Sequence, residues 1–111
     1  MSGPAKDLLQ QPFNSVAELS AADIPGEPGV YAWYRRGRLF YVGESRRGLR
    51  SRLWSNHLRG NARSSTLRNK VAKTFDFPPT GFRAYGRDAE ERISGKLLEC
   101  DLRFLPVPLA H

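Results

Sequence analysis

Apolar positions along the chain switch between strand-like and helix-like spacing, and each switch marks an element. From Val30 to Tyr34 and again from Leu39 to Val42, β-branched and aromatic residues form short runs that suit a pleated surface, with Arg35-Arg36-Gly37 between them. This predicts a β-hairpin. Gly37 falls where a three-residue loop, a type I turn followed by a left-handed residue, needs tolerance of positive φ. That register sets Tyr34 opposite Arg38 and Tyr31 opposite Tyr41. A two-residue loop at Arg36-Gly37 would shift the pairing by one and put the tyrosines on opposite faces, because side chains alternate with period two.

Helical spacing follows. Between Leu49 and Leu58 the residues Leu49, Leu53, Trp54 and Leu58 share one broad side of a helix, with Arg52, Ser55, Asn56 and Arg59 opposite. A second helix is expected over Thr66 to Thr74, where Leu67 and Val71 stand one turn apart, and Pro78-Pro79 closes that region. Phe82 to Tyr85 is a candidate third strand. Asp88 can cap a last helix running to about Phe104, with Ile93, Leu97, Cys100 and Phe104 as its apolar seam. Upstream, Ser15-Val16-Ala17-Glu18 has capping-box spacing and predicts a short helix to about Ala22, ended by the prolines and glycines of Ile24 to Gly29. Met1 to Asn14 has no sustained apolar period and reads as a flexible arm, which leaves residues 15–111 as a single domain. The fold class expected is α/β of the α+β type: a small three-stranded antiparallel sheet flanked by helices.

Composition narrows the possible partners. A chain of 111 residues with 40% hydrophobic content has room for one core. It holds no apolar run long enough to span a bilayer and no stretch that reads as a secretory signal, so a soluble, cytoplasmic chain without membrane partners is expected. The single cysteine, Cys100, leaves no internal disulfide or cysteine-based metal cluster, and its helical spacing from Leu97 and Phe104 points to simple burial. The formal charge of +7 creates a positive potential for which a polyanion is the natural partner. From Arg35 to Lys73 only Glu44 opposes the basic residues, so Arg46, Arg47, Arg50, Arg59, Arg63, Arg68 and Lys70 are the candidate phosphate contacts.

Gly29-Val30-Tyr31, Tyr41-Val42-Gly43, an arginine on the following helix, His57 and the late Glu99 together resemble the GIY-YIG nuclease family. The resemblance covers roughly Pro25 to Leu105. It implies a three-stranded antiparallel sheet with flanking helices and hydrolysis of nucleic-acid phosphodiesters with one divalent metal, usually magnesium. It assigns Tyr31 to help deprotonate the attacking water and Tyr41 to position water or phosphate. Arg52 is assigned to the scissile phosphate, a task that suits a guanidinium because it stays charged and donates in a fork. The spacing from Gly43 to Arg52 is one residue longer than in many members, which leaves Arg50 as a competitor. Glu99 is the implied metal ligand, with Asp101 and Glu90 as alternatives. His57 can join the site. On an ideal helix, however, it stands about 140° from Arg52, which a kink after Trp54 or the use of Arg50 would correct. Gly43 is expected to permit a close approach, while Trp33 and Trp54 read as core anchors. Pro106 to His111 lacks the asparagine that many members carry after the glutamate helix.

The expected function is a divalent-metal-dependent endonuclease that hydrolyses DNA phosphodiesters by activated-water attack. Magnesium is its expected ion, with manganese as a substitute, and RNA stays open as a substrate. The alternative is a non-catalytic nucleic-acid-binding module that keeps the fold. Target choice would come from loops, a homodimer or a partner protein.

Overall fold

The computed structural model describes residues 4–109. The first three residues of the expected arm and the last two of the expected domain lie outside the described residues. Four strands form one antiparallel sheet: β1 (Asn14–Ser15), β2 (Gly29–Arg35), β3 (Arg38–Ser45) and β4 (Asp101–Pro106), in spatial order β1-β4-β2-β3. The helices are α1 (Pro4–Leu8), α2 (Thr66–Thr74) and α3 (Arg87–Leu98), with a π-helical segment over Ser51–Leu58. The mixed α+β class expected from the sequence is present, but the sheet has four strands rather than three.

The hairpin forms, with a different turn. Arg35 pairs with Arg38, so the loop is the two-residue Arg36-Gly37, and both residues have positive φ, 52° and 78°. Two positive φ values in succession make a type I′ turn, whose twist matches that of the flanking strands. Alone, that loop would put the tyrosines on opposite faces. A β-bulge prevents this. Tyr34 pairs with Leu39 while Trp33 pairs with Tyr41, so Phe40 is an extra residue and the alternation resets after it. Tyr31 is therefore opposite Gly43, not Tyr41, and the tyrosines are diagonal neighbours on one face. Phe40 packs toward the same core as Tyr41. Its carbonyl accepts a 2.6 Å hydrogen bond from Lys70 Nζ, which also lies over the Phe40 ring.

That face carries the main core. Tyr31 and Trp33 of β2 and Leu102 of β4 are buried with Leu49, Leu53, Leu67, Val71, Ile93 and Leu97. On the other face Leu8 of α1 packs on Ala32 and Tyr34. The segment before Ser15, expected to be a flexible arm, carries α1 and the first residue of β1. Arg103 helps to hold it, lying 4.0 Å from the Phe13 ring centroid and donating to Tyr34 Oη. Val30, Leu39 and Val42 line a cavity of about 490 Å³ beside α1 on this second face.

Other expectations are corrected. Ser15 makes no cap hydrogen bond, and two 3₁₀ turns, Val16–Glu18 and Ala21–Asp23, replace the short helix. Ser20 begins the second turn, where the Asp23 carboxylate accepts from its backbone N–H at 2.8 Å. Phe82 to Tyr85 is a turn with one isolated bridge, Gly81 to Ala84, because Pro78-Pro79 and Gly86 leave no run able to pair. The real third partner is β4. The helix expected to reach Phe104 stops at Leu98, where Glu99 N–H and Cys100 N–H bond the carbonyls of Lys96 and Leu97, three residues back. Leu102 and Phe104 then alternate as strand residues, and the spacing from Leu97 through Cys100 to Phe104 is coincidental. Gly86, rather than Asp88, occupies the N-cap, and Asp88 pairs with Arg92 one turn on. Thr66–Thr74 matches the expected helix, and Cys100 is buried, its thiol pushed up to about 11 by that burial.

Candidate active site

Two hairpin tyrosines and one helical histidine meet over the main core. The Tyr31 and Tyr41 rings lie 6.5 Å apart at 24°, and His57 stands edge-on to both at 5.6 and 5.7 Å. Tyr31 Oη and His57 Nε2 are 2.8 Å apart, and both residues are 2% exposed. Gly43 makes this arrangement possible. A Cβ there would lie 2.5 Å from Tyr31 Oη and 2.7 Å from its Cζ, so the phenol can cross its strand partner only because that partner has no side chain. The close approach expected at Gly43 is that of the Tyr31 ring itself.

The π winding solves the problem of Arg52 and His57. Arg59 N–H bonds Trp54 O five residues back, and i→i+5 bonding widens the turn so that residues five apart come within about 50° of one another around the axis. Arg52 and His57, separated by five, thereby share a side that an α-helix would deny them. Arg52 Nη1 donates to Asn56 Oδ1 at 3.2 Å, and Asn56 Nδ2 donates in turn to Ser64 O at 3.0 Å. Arg50 is engaged elsewhere: its Nε donates to the carbonyls of Ala21 and Ile24, fixing the turn before the hairpin. Geometry therefore favours Arg52 over Arg50 as the site arginine.

Charge follows from burial. His57 is pushed down to about 3, chiefly by burial and then by the positive charges of Arg52 and Arg68, so it is a neutral imidazole at neutral pH. The Tyr31 phenol is pushed well above its ordinary value by burial and by Tyr41, while Arg52 pulls the other way. Arg52 favours the phenolate but does not offset the burial, so the Tyr31 phenol is neutral at neutral pH.

Behind His57 stand two residues that sequence reasoning assigned elsewhere or missed. Ser65 Oγ is 2.7 Å from His57 Nδ1 and also caps α2 by accepting Arg68 N–H. A cap preceding Thr66 was the only available sequence signal for it. Arg68, expected to touch nucleic acid, is 1% exposed and unavailable for that task. It donates to the carbonyls of His57 and Leu58 and pairs with the Glu90 carboxylate at 3.0 Å. Lys70 is held by Phe40, Arg46 is paired with Glu44, and Arg47, Arg59 and Arg63 are exposed.

The carboxylates decide whether a divalent metal fits. Glu99 is exposed at the C-cap of α3, and its carboxylate makes no hydrogen bond or ion pair among the described residues. It lies roughly 13 Å along the helix axis from Glu90, at 1.5 Å per residue. It sits beside Cys100, next to the strand position at which Asp101 pairs with Tyr34, three residues along β2 from Tyr31. Glu90 connects to the site through Arg68, but both of its oxygens are committed, Oε1 to Arg68 and Oε2 to Ala62 N–H. Among the described residues no three His, Cys, Asp or Glu side chains are grouped to share an ion. A magnesium-type ion here would rest on a single carboxylate, with phosphate oxygens and water completing its shell.

No curated protein and no solved structure matches the chain. Residues 16–96 do match a family model, described as the GIY-YIG catalytic domain, and the match takes in Glu90 but ends before Glu99. Because that span contains the whole hairpin, the π-helical segment, α2 and most of α3, the chain belongs to the GIY-YIG catalytic domain family.

Proposed function

We propose that this domain is an endonuclease that hydrolyses DNA phosphodiesters by attack of an activated water. The family supports nuclease activity in general. The observation that carries the reading here is the convergence of Tyr31, Tyr41, Arg52 and His57 in a chain of net charge +7. Arg52 would hold the scissile phosphate and stabilise the charge that develops on it, the largest single contribution expected of such a group. Tyr31 and Tyr41 would position the water, with Arg47, Arg59 and Arg63 tracking the flanking phosphates. A divalent ion, magnesium or manganese, belongs to the proposal as the family's usual requirement, and Glu99 as its ligand remains the expectation from resemblance. A homodimer or partner protein would supply target choice.

A second reading, a nucleic-acid-binding module without cleavage, is favoured by the commitment of both Glu90 carboxylate oxygens to Arg68 and Ala62. One experiment separates the two. Linear, nicked, branched and single-stranded DNA and RNA are incubated with magnesium or manganese, beside Arg52→Ala, Glu90→Gln and Glu99→Ala. Cleavage lost in Arg52→Ala supports the enzyme. Absence of cleavage on every substrate, with binding that weakens steeply as salt rises, supports the binder. Full activity in Arg52→Ala would sink the assignment of the phosphate site.

A further inference from the structure

The side of His57 that faces away from Tyr31 carries information about the side that faces it. Ser65 is 0% exposed, and its Oγ has two partners among the described residues: Arg68 N–H at 3.1 Å and His57 Nδ1 at 2.7 Å. The first can only donate. A serine hydroxyl has one proton to give, and a buried hydroxyl whose proton meets no acceptor is penalised. The one acceptor within reach among the described residues is Nδ1.

We infer that Ser65 locks His57 as the Nε2–H tautomer, so that His57 donates a hydrogen bond to Tyr31 Oη and cannot take the Tyr31 proton. In this arrangement Arg68 N–H is met by Ser65 Oγ, Ser65 O–H by Nδ1 and Nε2–H by Tyr31 Oη at 2.8 Å, and the one proton left without an acceptor among the described residues is that of Tyr31, which is 2% exposed where Ser65 is 0%. The opposite tautomer would give the Tyr31 proton an acceptor at Nε2, but it would present two N–H donors to Ser65 Oγ and strand the serine proton at the fully buried position. The doubly protonated ring would strand the same proton. It would also stand in a buried site with Arg52 on its own helix and Arg68 on α2 both positive, faced from the hairpin by the neutral rings of Tyr31, Tyr41 and Trp33.

The lock sets a direction for the phenol. With His57 donating, Tyr31 keeps its own O–H free for the side where Arg52 acts, and a phenolate there would be held by the His57 N–H and the Arg52 charge. Ser65 and His57 are then positioning residues for Tyr31, and whatever accepts the Tyr31 proton lies on the substrate side. This last step rests on the nuclease reading, but the tautomer does not, and its test needs no activity.

The test is a long-range proton–nitrogen NMR correlation on the full ¹⁵N-labelled chain at neutral pH, which separates protonated from unprotonated ring nitrogens. The expected His57 pattern is a bare Nδ1 and a protonated Nε2. A protonated Nδ1, whether in the other neutral tautomer or in the charged ring, overturns the inference. Ser65→Ala should release the lock and give a mixture of tautomers, while Ser65→Thr, which keeps the hydroxyl, should retain the wild-type pattern. An unchanged single Nε2–H tautomer in Ser65→Ala would remove Ser65 as the cause. Should either variant fail to fold, the wild-type spectrum alone still decides which nitrogen carries the proton.

Discussion

Adding one methyl group at Gly43 sets two effects of opposite sign against each other. Backbone considerations alone make Gly43→Ala stabilising, since glycine inside a strand costs about 0.5–1 kcal/mol relative to alanine. The structure requires the reverse. The new Cβ would stand 2.5 Å from Tyr31 Oη and 2.7 Å from Cζ, where carbon contacts normally settle at roughly 3.5–4 Å. The phenol must move by about 1 Å, and a 2.8 Å bond to His57 cannot survive that displacement. Overpacking costs about 1–3 kcal/mol, and leaving the buried His57 ring without its partner adds about 1–3. Net destabilisation of about 3 kcal/mol is expected, read by urea unfolding of Gly43→Ala beside the wild type. A double-mutant cycle isolates the cause: in a Tyr31→Ala background the same change should become stabilising by about 0.5–1 kcal/mol. Neutral or stabilising behaviour of Gly43→Ala in the wild-type background would refute the claim that the Tyr31 ring crosses Gly43.

Arg68→Ala should lower stability by about 3–5 kcal/mol in urea unfolding, because it leaves Glu90 partly buried and uncompensated and strips a donor from two carbonyls; a loss under 1 kcal/mol would mean that Arg68 is not buried. Arg36→Asn should raise stability by up to about 1 kcal/mol, since arginine sits at φ 52° in a type I′ position that asparagine tolerates better; a fall in melting temperature would count against the two-residue turn. His57 makes stability depend on pH in a stated direction. The unfolded chain takes a proton near pH 6.5 and the native chain only near 3, so stability is full above pH 6.5 and falls by about 1.4 kcal/mol per unit between those values. His57→Gln should flatten that slope between pH 6.5 and 5, and equal slopes in the two proteins would contradict a neutral buried imidazole.

What the sequence made legible divides along physical lines. The hairpin, α2 and the grouping of Tyr31, Tyr41 and His57 were visible because short-range patterns carry them: β-branched runs around a glycine, apolar spacing of one turn, paired motifs. β4 was not, because Ile93, Leu97, Cys100 and Phe104 fit a helical period by coincidence, and nothing local says where α3 must tighten and stop. The strand character of Asn14 was hidden because it exists only through pairing with Leu102, 88 residues away. Arg68 shows why charge alone misleads. A basic residue within a basic segment reads as a phosphate contact, and only the fold reveals that its guanidinium is spent on Glu90 and two helix-end carbonyls.

The site itself depends on two irregularities that ideal periods exclude, and they act alike. In the hairpin, the type I′ turn fixes a register that would turn Tyr41 away from Tyr31, and the extra Phe40 restores the shared face. In the following helix, a separation of five positions between Arg52 and His57 would leave them on different sides, and π winding absorbs the excess. Each irregularity inserts a residue where a regular element would place none, and each has a stabilising contact at the insertion: Lys70 on the Phe40 carbonyl, Arg68 on the carbonyls of His57 and Leu58. Removing either insertion would leave strand or helix more regular and separate the groups that must meet. Backbone irregularity of this kind persists only where its surroundings over-determine it. Its presence on both elements that frame Tyr31 is what brings Tyr31, Tyr41, Arg52 and His57 together.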